Sequence, residues 1–172
     1  PAPTAGEVSM RTLLVMRHGK SEWGEPGLSD HDRPLAPRGL AAAARIGSFL
    51  TAAGLEPELI LSSTALRAVG TAEHAAKAGG WGSRIVPVAA LYASEPGRVL
   101  EVLRETAPEI GRLLVTGHEP TSSQLVSLLM GGGRLRMPTA AVACLFLEHG
   151  DWADLAAGSC ILRWLMVPKA LG

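Results

Sequence analysis

Apolar residues in three segments of this chain form short unbroken runs instead of alternating with polar ones. The runs cover residues 12–16, 59–61 and 113–115, and each is followed at once by polar or charged residues. Unbroken runs of this length are typical of strands in a parallel sheet that is covered on both faces. Extending the same analysis along the chain predicts strands 12–16, 58–62, 84–88, 112–116, 142–147 and 161–167, and helices 37–53, 64–78, 95–106 and 121–130.

The predicted strands and helices alternate over most of the chain. This order is typical of an α/β protein, and we predict a three-layer α/β/α sandwich whose central sheet is mostly parallel and has about six strands. The segment 19–36 is rich in Gly, Pro and Asp and is longer than an ordinary connection. We expect residues 11–172 to form a single domain. Residues 1–10 are expected to be a flexible leader, in which Met10 is a candidate natural start.

Charged and ionisable residues follow three of the predicted strands. Arg17 and His18 end the first, Arg67 lies in the first turn of the helix after the second, and His118 follows the fourth. Taken singly, each arginine could be a solvated ion pair and each histidine a structural residue. Because the carboxyl ends of parallel strands meet at one edge of a sheet, we expect the four to converge there. Two guanidinium groups and two imidazoles suit a tetrahedral dianion such as phosphate.

Three motifs in this order resemble those of the histidine phosphatase superfamily, which has the phosphoglycerate mutase-like fold. The motifs are Arg17-His18-Gly19, the segment from Ser62-Ser63 through Arg67-Ala68 to Thr71-Ala72-Glu73, and Gly117-His118-Glu119-Pro120. A finer pattern, with Lys20-Ser21, Trp23, Asp32-Arg33-Pro34-Leu35 and Gly39, is similar to the small SixA-like branch of phosphohistidine phosphatases. The resemblance implies that His18 is the nucleophile and that Arg17, Arg67 and His118 complete the phosphate pocket.

The expected chemistry is phosphoryl transfer through a covalent phosphohistidine on His18. Arg17 and Arg67 would hold the phosphoryl oxygens, and His118, if protonated, would be a third cationic donor. No metal or cofactor is expected, because side chains supply the positive charge. Further phosphate-binding candidates are Gly19, Ser21 and Glu119. The backbone amides near Glu119 are at the start of a helix and could also contact phosphate. The candidate pocket walls are Lys20, Trp23 and Arg33.

The general acid is the open part of this hypothesis. The candidates are Glu95, Glu119 and Asp32. Glu95 has an alternative explanation as an exposed residue at the start of a helix. Glu73, in the middle of a helix, is explained by an ion-pairing helix face. The stretch 91–96 lacks the motif that carries the acid of the mutases. Imidazole leaves more readily than an alkoxide, so a weak or missing acid favours a phosphohistidine substrate over a phosphomonoester.

Composition narrows the function classes. The chain is 47% hydrophobic and 19% charged with a formal net charge of zero, which argues against disorder and against a broad nucleic-acid surface. It has no apolar run long enough to span a membrane, and its first nine residues lack a signal-peptide pattern. Its two cysteines, Cys144 and Cys160, are expected to be buried and reduced, with a disulfide between them as the lesser alternative. We therefore expect a cytoplasmic protein.

Three functions remain open. The first is a phosphatase that acts on phosphohistidine of a protein partner. The second is a phosphomonoesterase or mutase of the same fold that acts on a small phosphorylated substrate. The third is a phosphate-binding module without turnover, although a module that only binds would not need a nucleophile.

Overall fold

The computed structural model of the protein describes residues 10–23 and 26–172, so all but the last residue of the expected leader lies outside the described residues. Strands and helices alternate through the first four strands, as the pattern predicted. The strands are β1 Arg11–Arg17, β2 Leu59–Ser63, β3 Arg84–Val88, β4 Arg112–Gly117, β5 Val142–Leu147 and β6 Cys160–Met166. The helices are α1 Pro37–Ala52, α2 Leu66–Gly79, α3 Pro96–Arg104 and α4 Thr121–Leu129.

The six strands form one sheet in the order β3-β2-β4-β1-β5-β6. Strands β1 to β4 are parallel, whereas β5 is antiparallel to β1 and β6 is antiparallel to β5. The mostly parallel sheet is therefore confirmed. In the β1–β4 register Arg17 is opposite Gly117, so the residues that follow the two strands emerge side by side.

The centre of strand β1, from Leu13 to Met16, is apolar because both of its faces are covered. Leu13 and Val15 point into a core shared with α3 and α4, whereas Leu14 and Met16 point into a second core shared with α1 and α2. Side chains alternate between the faces of a strand, so burial on both sides removes the usual alternation of polar and apolar residues. The predicted three-layer arrangement is confirmed.

The start of α2 differs from the sequence-based expectation. Ser62, Ser63 and Thr64 are good N-cap residues, but the N-cap position is Ala65, and no side chain caps the helix. The Ser63 hydroxyl instead lies against His118, and the Ser62 hydroxyl accepts a hydrogen bond from Thr116 across the sheet. These serines connect neighbouring strand ends, which a local pattern cannot reveal.

The structure adds three short 3-10 helices, Ala89–Leu91, Trp152–Asp154 and Pro168–Leu171, that were not predicted. Both cysteines are free and buried, as expected. Within residues 10–23 and 26–172, no helix has the length and hydrophobicity needed to cross a bilayer.

Candidate active site

The structure brings His18 and His118 together at the carboxyl edge of the sheet, with ring centroids 5.2 Å apart. The parallel pairing of β1 and β4 continues past the strand end, where the His18 amide donates to the Gly117 carbonyl at 2.9 Å. Arg17 and Arg67 lie close enough for their charges to lower the pKa of both imidazoles. The four residues that follow the three strands therefore share one pocket.

The ring of His18 is held in one tautomer. Its Nδ1 is 2.6 Å from the Gly19 carbonyl oxygen, which can only accept, so Nδ1 carries the proton and Nε2 has a free lone pair. Burial, with smaller contributions from His118, Arg67 and Arg17, lowers the pKa of His18 to about 3. The ring is therefore neutral at physiological pH, which is the state that a nitrogen nucleophile requires.

His118 is held by the end of β2. Its Nε2 lies 2.7 Å from the Ser63 hydroxyl oxygen, and burial, followed by the charge of Arg67, lowers the pKa of the ring to about 4. With these neighbours His118 is uncharged at pH 7, so the two arginines supply the positive charge. A phosphate dianion beside the ring would raise its pKa, because an opposite charge favours the imidazolium.

The guanidinium group of Arg17 is only partly engaged by the protein. Its Nη1 donates to the Met137 carbonyl at 2.8 Å, while its buried Nε has no hydrogen-bond partner among the described residues. Burial lowers the pKa of Arg17, and the nearby carboxylate of Glu119 opposes that effect. A buried donor without a partner is rare in proteins, and here it belongs to a cation that lies beside His18.

Arg67 has a partner that sequence reasoning missed. Its Nη1 donates to the Asp30 carbonyl at 2.5 Å and its Nη2 to the Asp30 carboxylate at 2.9 Å. The same carboxylate accepts from Arg33 and from the Tyr92 hydroxyl, and these donors lower the pKa of Asp30 to about 2. No local signal in the sequence points to this pair, because Asp30 and Arg67 are 37 positions apart.

Gly19 links the chain beyond His18 to helix α2. Its amide donates to the Thr71 hydroxyl at 2.9 Å, and that hydroxyl donates to the Arg67 carbonyl at 2.7 Å. A Cβ on Gly19 would lie 2.8 Å from the Gly39 carbonyl oxygen, so the missing side chain allows close approach to α1. Thr71 thus connects the residue after His18 to the turn that holds Arg67.

Ser21 is held by contacts within the loop after β1. It is buried, pairs with Leu35, and accepts a hydrogen bond from Arg33 at 3.0 Å. Arg33 in turn lies 4.9 Å over the ring of Trp23, whose side chain is 84% exposed. Two of the expected pocket walls, Trp23 and Arg33, therefore pack against each other within the long loop after β1.

The three candidate acids lie in different places. Glu119 is half-buried near Arg17 and accepts a hydrogen bond from Ser123 at 2.7 Å. Glu95 is exposed at the N-cap of α3, as its alternative explanation predicted. Asp32 is exposed and bonded to Ser29 and His31, with no contact to the two arginines among the described residues.

Two further aromatic residues lie beside the pocket. The ring of Tyr92 is 5.7 Å from that of His118 and 4.8 Å from that of His31. No motif surrounds His31 in the sequence, but its ring is half-buried and its Nε2 lies 3.0 Å from the Thr64 hydroxyl oxygen. Together these rings form the side of the pocket next to His118.

The arrangement suits binding and transfer of a phosphoryl group. It combines a neutral nucleophilic nitrogen, two permanent cations and a second imidazole within one pocket. Within residues 10–23 and 26–172, no three His, Cys, Asp or Glu side chains are grouped so that they could hold a metal ion.

Comparisons with known proteins agree with this geometry. Residues 13–92 match the model of the histidine phosphatase superfamily (branch 1). An uncharacterized protein of Mycobacterium tuberculosis is 36% identical over 164 residues, which cover 90% of this chain and all of that protein.

Two solved structures are similar over nearly the whole chain. One, from Nakamurella multipartitia and provisionally named phosphohistidine phosphatase SixA, has a TM-score of 0.81 and 28% identity, covering 92% of this chain and 96% of the other. The second, the protein histidine phosphatase SixA complexed with tungstate, has a TM-score of 0.80 and 26% identity, covering 94% and 99%. This chain belongs to the histidine phosphatase superfamily and, within it, to the SixA-like branch.

Proposed function

We propose that this protein is a metal-independent phosphatase that removes the phosphoryl group from phosphohistidine on a protein partner. The observation that carries the proposal is the state of His18, a neutral ring with Nδ1 bonded to Gly19 and Nε2 unprotonated beside two arginines. Such a nitrogen can attack phosphorus while the guanidinium groups stabilise charge on the phosphoryl oxygens.

The reaction has two displacements. In the first, Nε2 of His18 forms a bond to phosphorus, the phosphorus–nitrogen bond of the substrate breaks, and the substrate ring, protonated at its other nitrogen, leaves with that electron pair as neutral imidazole. In the second, water attacks phosphorus, the bond to Nε2 breaks, and inorganic phosphate is released. Arg17 and Arg67 contact the phosphoryl oxygens during both displacements. The phosphoryl dianion raises the pKa of His118, and the protonated ring then stabilises the negative charge.

The carboxylates near the pocket favour phosphohistidine over an alkyl phosphate. Asp30 is bonded to Arg67 and its pKa is about 2, so it is ionised at neutral pH and holds no proton for a leaving group. Glu119 lies near the cation Arg17, and its carboxylate accepts a hydrogen bond from the Ser123 hydroxyl. Imidazole needs less protonation than an alkoxide, and its departure depends less on an acid.

The relatives support the same proposal. The tungstate in one similar structure is a tetrahedral oxyanion of the same shape as phosphate, and that structure is named a protein histidine phosphatase. We accordingly propose a phosphorylated protein as the partner. The second candidate is a small phosphorylated substrate, and the turnover experiment below distinguishes the two. The cytoplasmic location also stays a prediction.

A turnover panel tests the proposal. A phosphohistidine protein, 3-phosphoglycerate and an aryl phosphate are incubated with enzyme that has been treated with EDTA. We expect the phosphohistidine protein to be hydrolysed fastest and EDTA to leave the rate unchanged. Preferential hydrolysis of 3-phosphoglycerate, or loss of activity that only an added metal restores, would contradict the proposal.

Two sets of variants assign the roles. His18→Ala should abolish turnover and the acid-labile phosphoenzyme while the circular dichroism spectrum is retained. Trapping of phosphate on His118 would reverse the assignment. Glu119→Gln, Glu95→Gln and Asp32→Asn should each reduce phosphohistidine hydrolysis less than alkyl phosphate hydrolysis, whereas an equal loss of about 10²-fold or more on both would reveal a dedicated acid.

A further inference from the structure

A groove of about 740 Å³ lies beside the phosphate pocket. Its walls come from the loop after β1, one face of α1, the segment before β5 and the C-terminal 3-10 helix. All six ionisable residues that line it are basic: Arg17, Lys20, Arg38, Arg45, Arg136 and Lys169. The chain as a whole has 16 basic and 16 acidic residues, so this groove concentrates charge that the rest of the surface balances.

Among the described residues, few interactions within the protein engage the side chains of the groove cations. Five of them, all except Arg17, make no side-chain hydrogen bond, and none of the six forms a salt bridge with a carboxylate in the part of the chain that the structure describes. All the described salt bridges of arginine involve arginines outside the groove, for example Arg112 with Glu58. The positive potential of the groove is therefore available to a ligand.

Arg17 connects the groove to the phosphate pocket. It lines the groove, its charge reaches His18, and it donates to the carbonyl of Met137, the residue after Arg136. The charge of Arg136 in turn acts on Arg17. A ligand whose phosphoryl group lies at His18 can therefore continue into the groove without leaving the protein surface.

The shape of the groove matches an extended chain. Arg38 and Arg45 lie on the same face of α1, separated by about 10 Å along the helix axis. Between them Ala41 and Ala42 line the groove with small side chains. An extended peptide covers this distance with about three residues, since each advances the chain by about 3.3 Å.

We propose that this groove binds acidic side chains that flank the phosphorylated histidine of the protein partner. The inference rests on the proposed function and names the sequence that the enzyme prefers. Several separated cations around a small apolar floor match carboxylates spaced along a peptide, whereas one phosphate group is satisfied by one or two guanidinium groups. A small molecule with a second phosphate group is the competing occupant and is tested directly.

The experiment compares two synthetic peptides of equal length with a central phosphohistidine, one flanked by glutamates and the other by glutamines. We expect wild-type kcat/KM to be about three- to tenfold higher for the acidic peptide at low salt and the difference to vanish at high salt. Arg38→Gln/Arg45→Gln should abolish most of the preference and leave hydrolysis of the neutral peptide unchanged. Arg84→Gln, which removes an exposed arginine on β3 at the opposite end of the sheet, should retain the preference.

Binding without turnover separates this inference from the proposed function. Fluorescence anisotropy measures the affinity of His18→Ala for labelled unphosphorylated acidic and neutral peptides. If no phosphohistidine peptide is hydrolysed but the acidic peptide binds more tightly and needs Arg38 and Arg45, the proposed function fails and the groove assignment stands. If both phosphopeptides are hydrolysed equally, or the double variant keeps the preference, the groove assignment is wrong and the function stands.

The competing occupant is examined with an alkanediol bisphosphate and its matching monophosphate as inhibitors. Tighter inhibition by the bisphosphate that disappears in Arg38→Gln/Arg45→Gln, together with no preference between the peptides, would overturn the peptide assignment. Equal inhibition by the two compounds, with the peptide preference intact, supports it.

Discussion

The two imidazoles of the pocket differ from exposed histidines because burial and nearby arginines disfavour their charged forms. Their pKa values are about 3 for His18 and about 4 for His118, compared with an ordinary value near 6.5. The two rings have different hydrogen-bond partners: the Gly19 carbonyl fixes the tautomer of His18, and the Ser63 hydroxyl holds the ring of His118. The site therefore obtains an unprotonated nucleophile from its surroundings rather than from an adjacent base.

These values predict a pH dependence of stability. The unfolded chain binds protons at both histidines below about pH 6.5, whereas the folded protein binds them only near pH 3 to 4, so stability falls as pH drops from 7 to 5. Urea denaturation at these two values measures the loss, and His18→Gln/His118→Gln should reduce it. The pKa of Asp30 is lowered from 3.8 to about 2, so its contribution to the pH dependence of stability lies below this range. Equal pH dependence in wild type and double variant would contradict the assignment.

Asp30 is predicted to be a positioning residue that also weakens phosphate binding. Its carboxylate orients Arg67 but also competes with phosphate for the same guanidinium group. Asp30→Asn should therefore lower the inhibition constant for inorganic phosphate by about two- to fivefold and decrease kcat. The matched control is Asp32→Asn, which removes a carboxylate that contacts neither Arg67 nor Arg17 in the described residues. Unchanged phosphate inhibition in Asp30→Asn would refute the competition.

At the scale of elements, the loop after β1 is positioned by its contact with the start of α1. The Lys20 carbonyl accepts from the amide of Ala36, the residue before α1, and a Cβ on Gly39 would lie 2.2 Å from that carbonyl oxygen. No rotation of a side chain could relieve this contact, because the neighbour is backbone. The helix start thus determines where the chain beyond His18 can run.

Gly39→Ala should therefore destabilise the protein by about 1–3 kcal/mol and reduce activity, because the loop that carries His18 must move. Gly97→Ala is the matched control: Gly97 also lies in the first turn of a helix that begins with proline, and nothing lies within 4 Å of its added Cβ. It should be neutral or stabilising by about 0.5–1 kcal/mol, since alanine favours helix. Denaturant titration of both variants gives the comparison, and equal effects would contradict the proposed contact.

At the scale of the whole molecule, the sheet separates two apolar cores, one with α1 and α2 and one with α3 and α4. Cys144 contributes to the first and Cys160 to the second. In the β5–β6 register Cys144 is opposite Trp164, while Cys160 is opposite Leu147. The two thiols thus lie in different cores and report on both faces of the sheet.

Thiol labelling should consequently follow unfolding of the whole molecule. Cys144 is fully buried and Cys160 is 5% exposed, and burial raises the pKa of Cys144 to about 11, so neither thiol should react quickly in the folded state. Both should react with an aromatic disulfide reagent in denaturant. Stopped-flow labelling at intermediate denaturant should give similar protection for the two. Fast labelling of one thiol under native conditions would show that its core opens independently.

The sequence by itself determined the elements and the location of the site, because both depend on local pattern. A strand buried on both faces must be apolar without interruption, which placed β1 within one residue at each end of the observed Arg11–Arg17. The position of Arg17, His18, Arg67 and His118 after parallel strands predicted their convergence, since such strands end at one edge. Helix ends were less accurate where a side chain such as Ser63 bonds across the sheet.

Only the tertiary structure decided which residues support that site and what surrounds it. Asp30 meets Arg67 across 37 residues, and Thr71 meets Gly19 across 52, so no local pattern connects them. The antiparallel direction of β5 and β6 and the basic groove likewise depend on how distant segments meet. Residues with no recognisable motif around them gain a role in the site because folding brings segments that are distant in the sequence into contact.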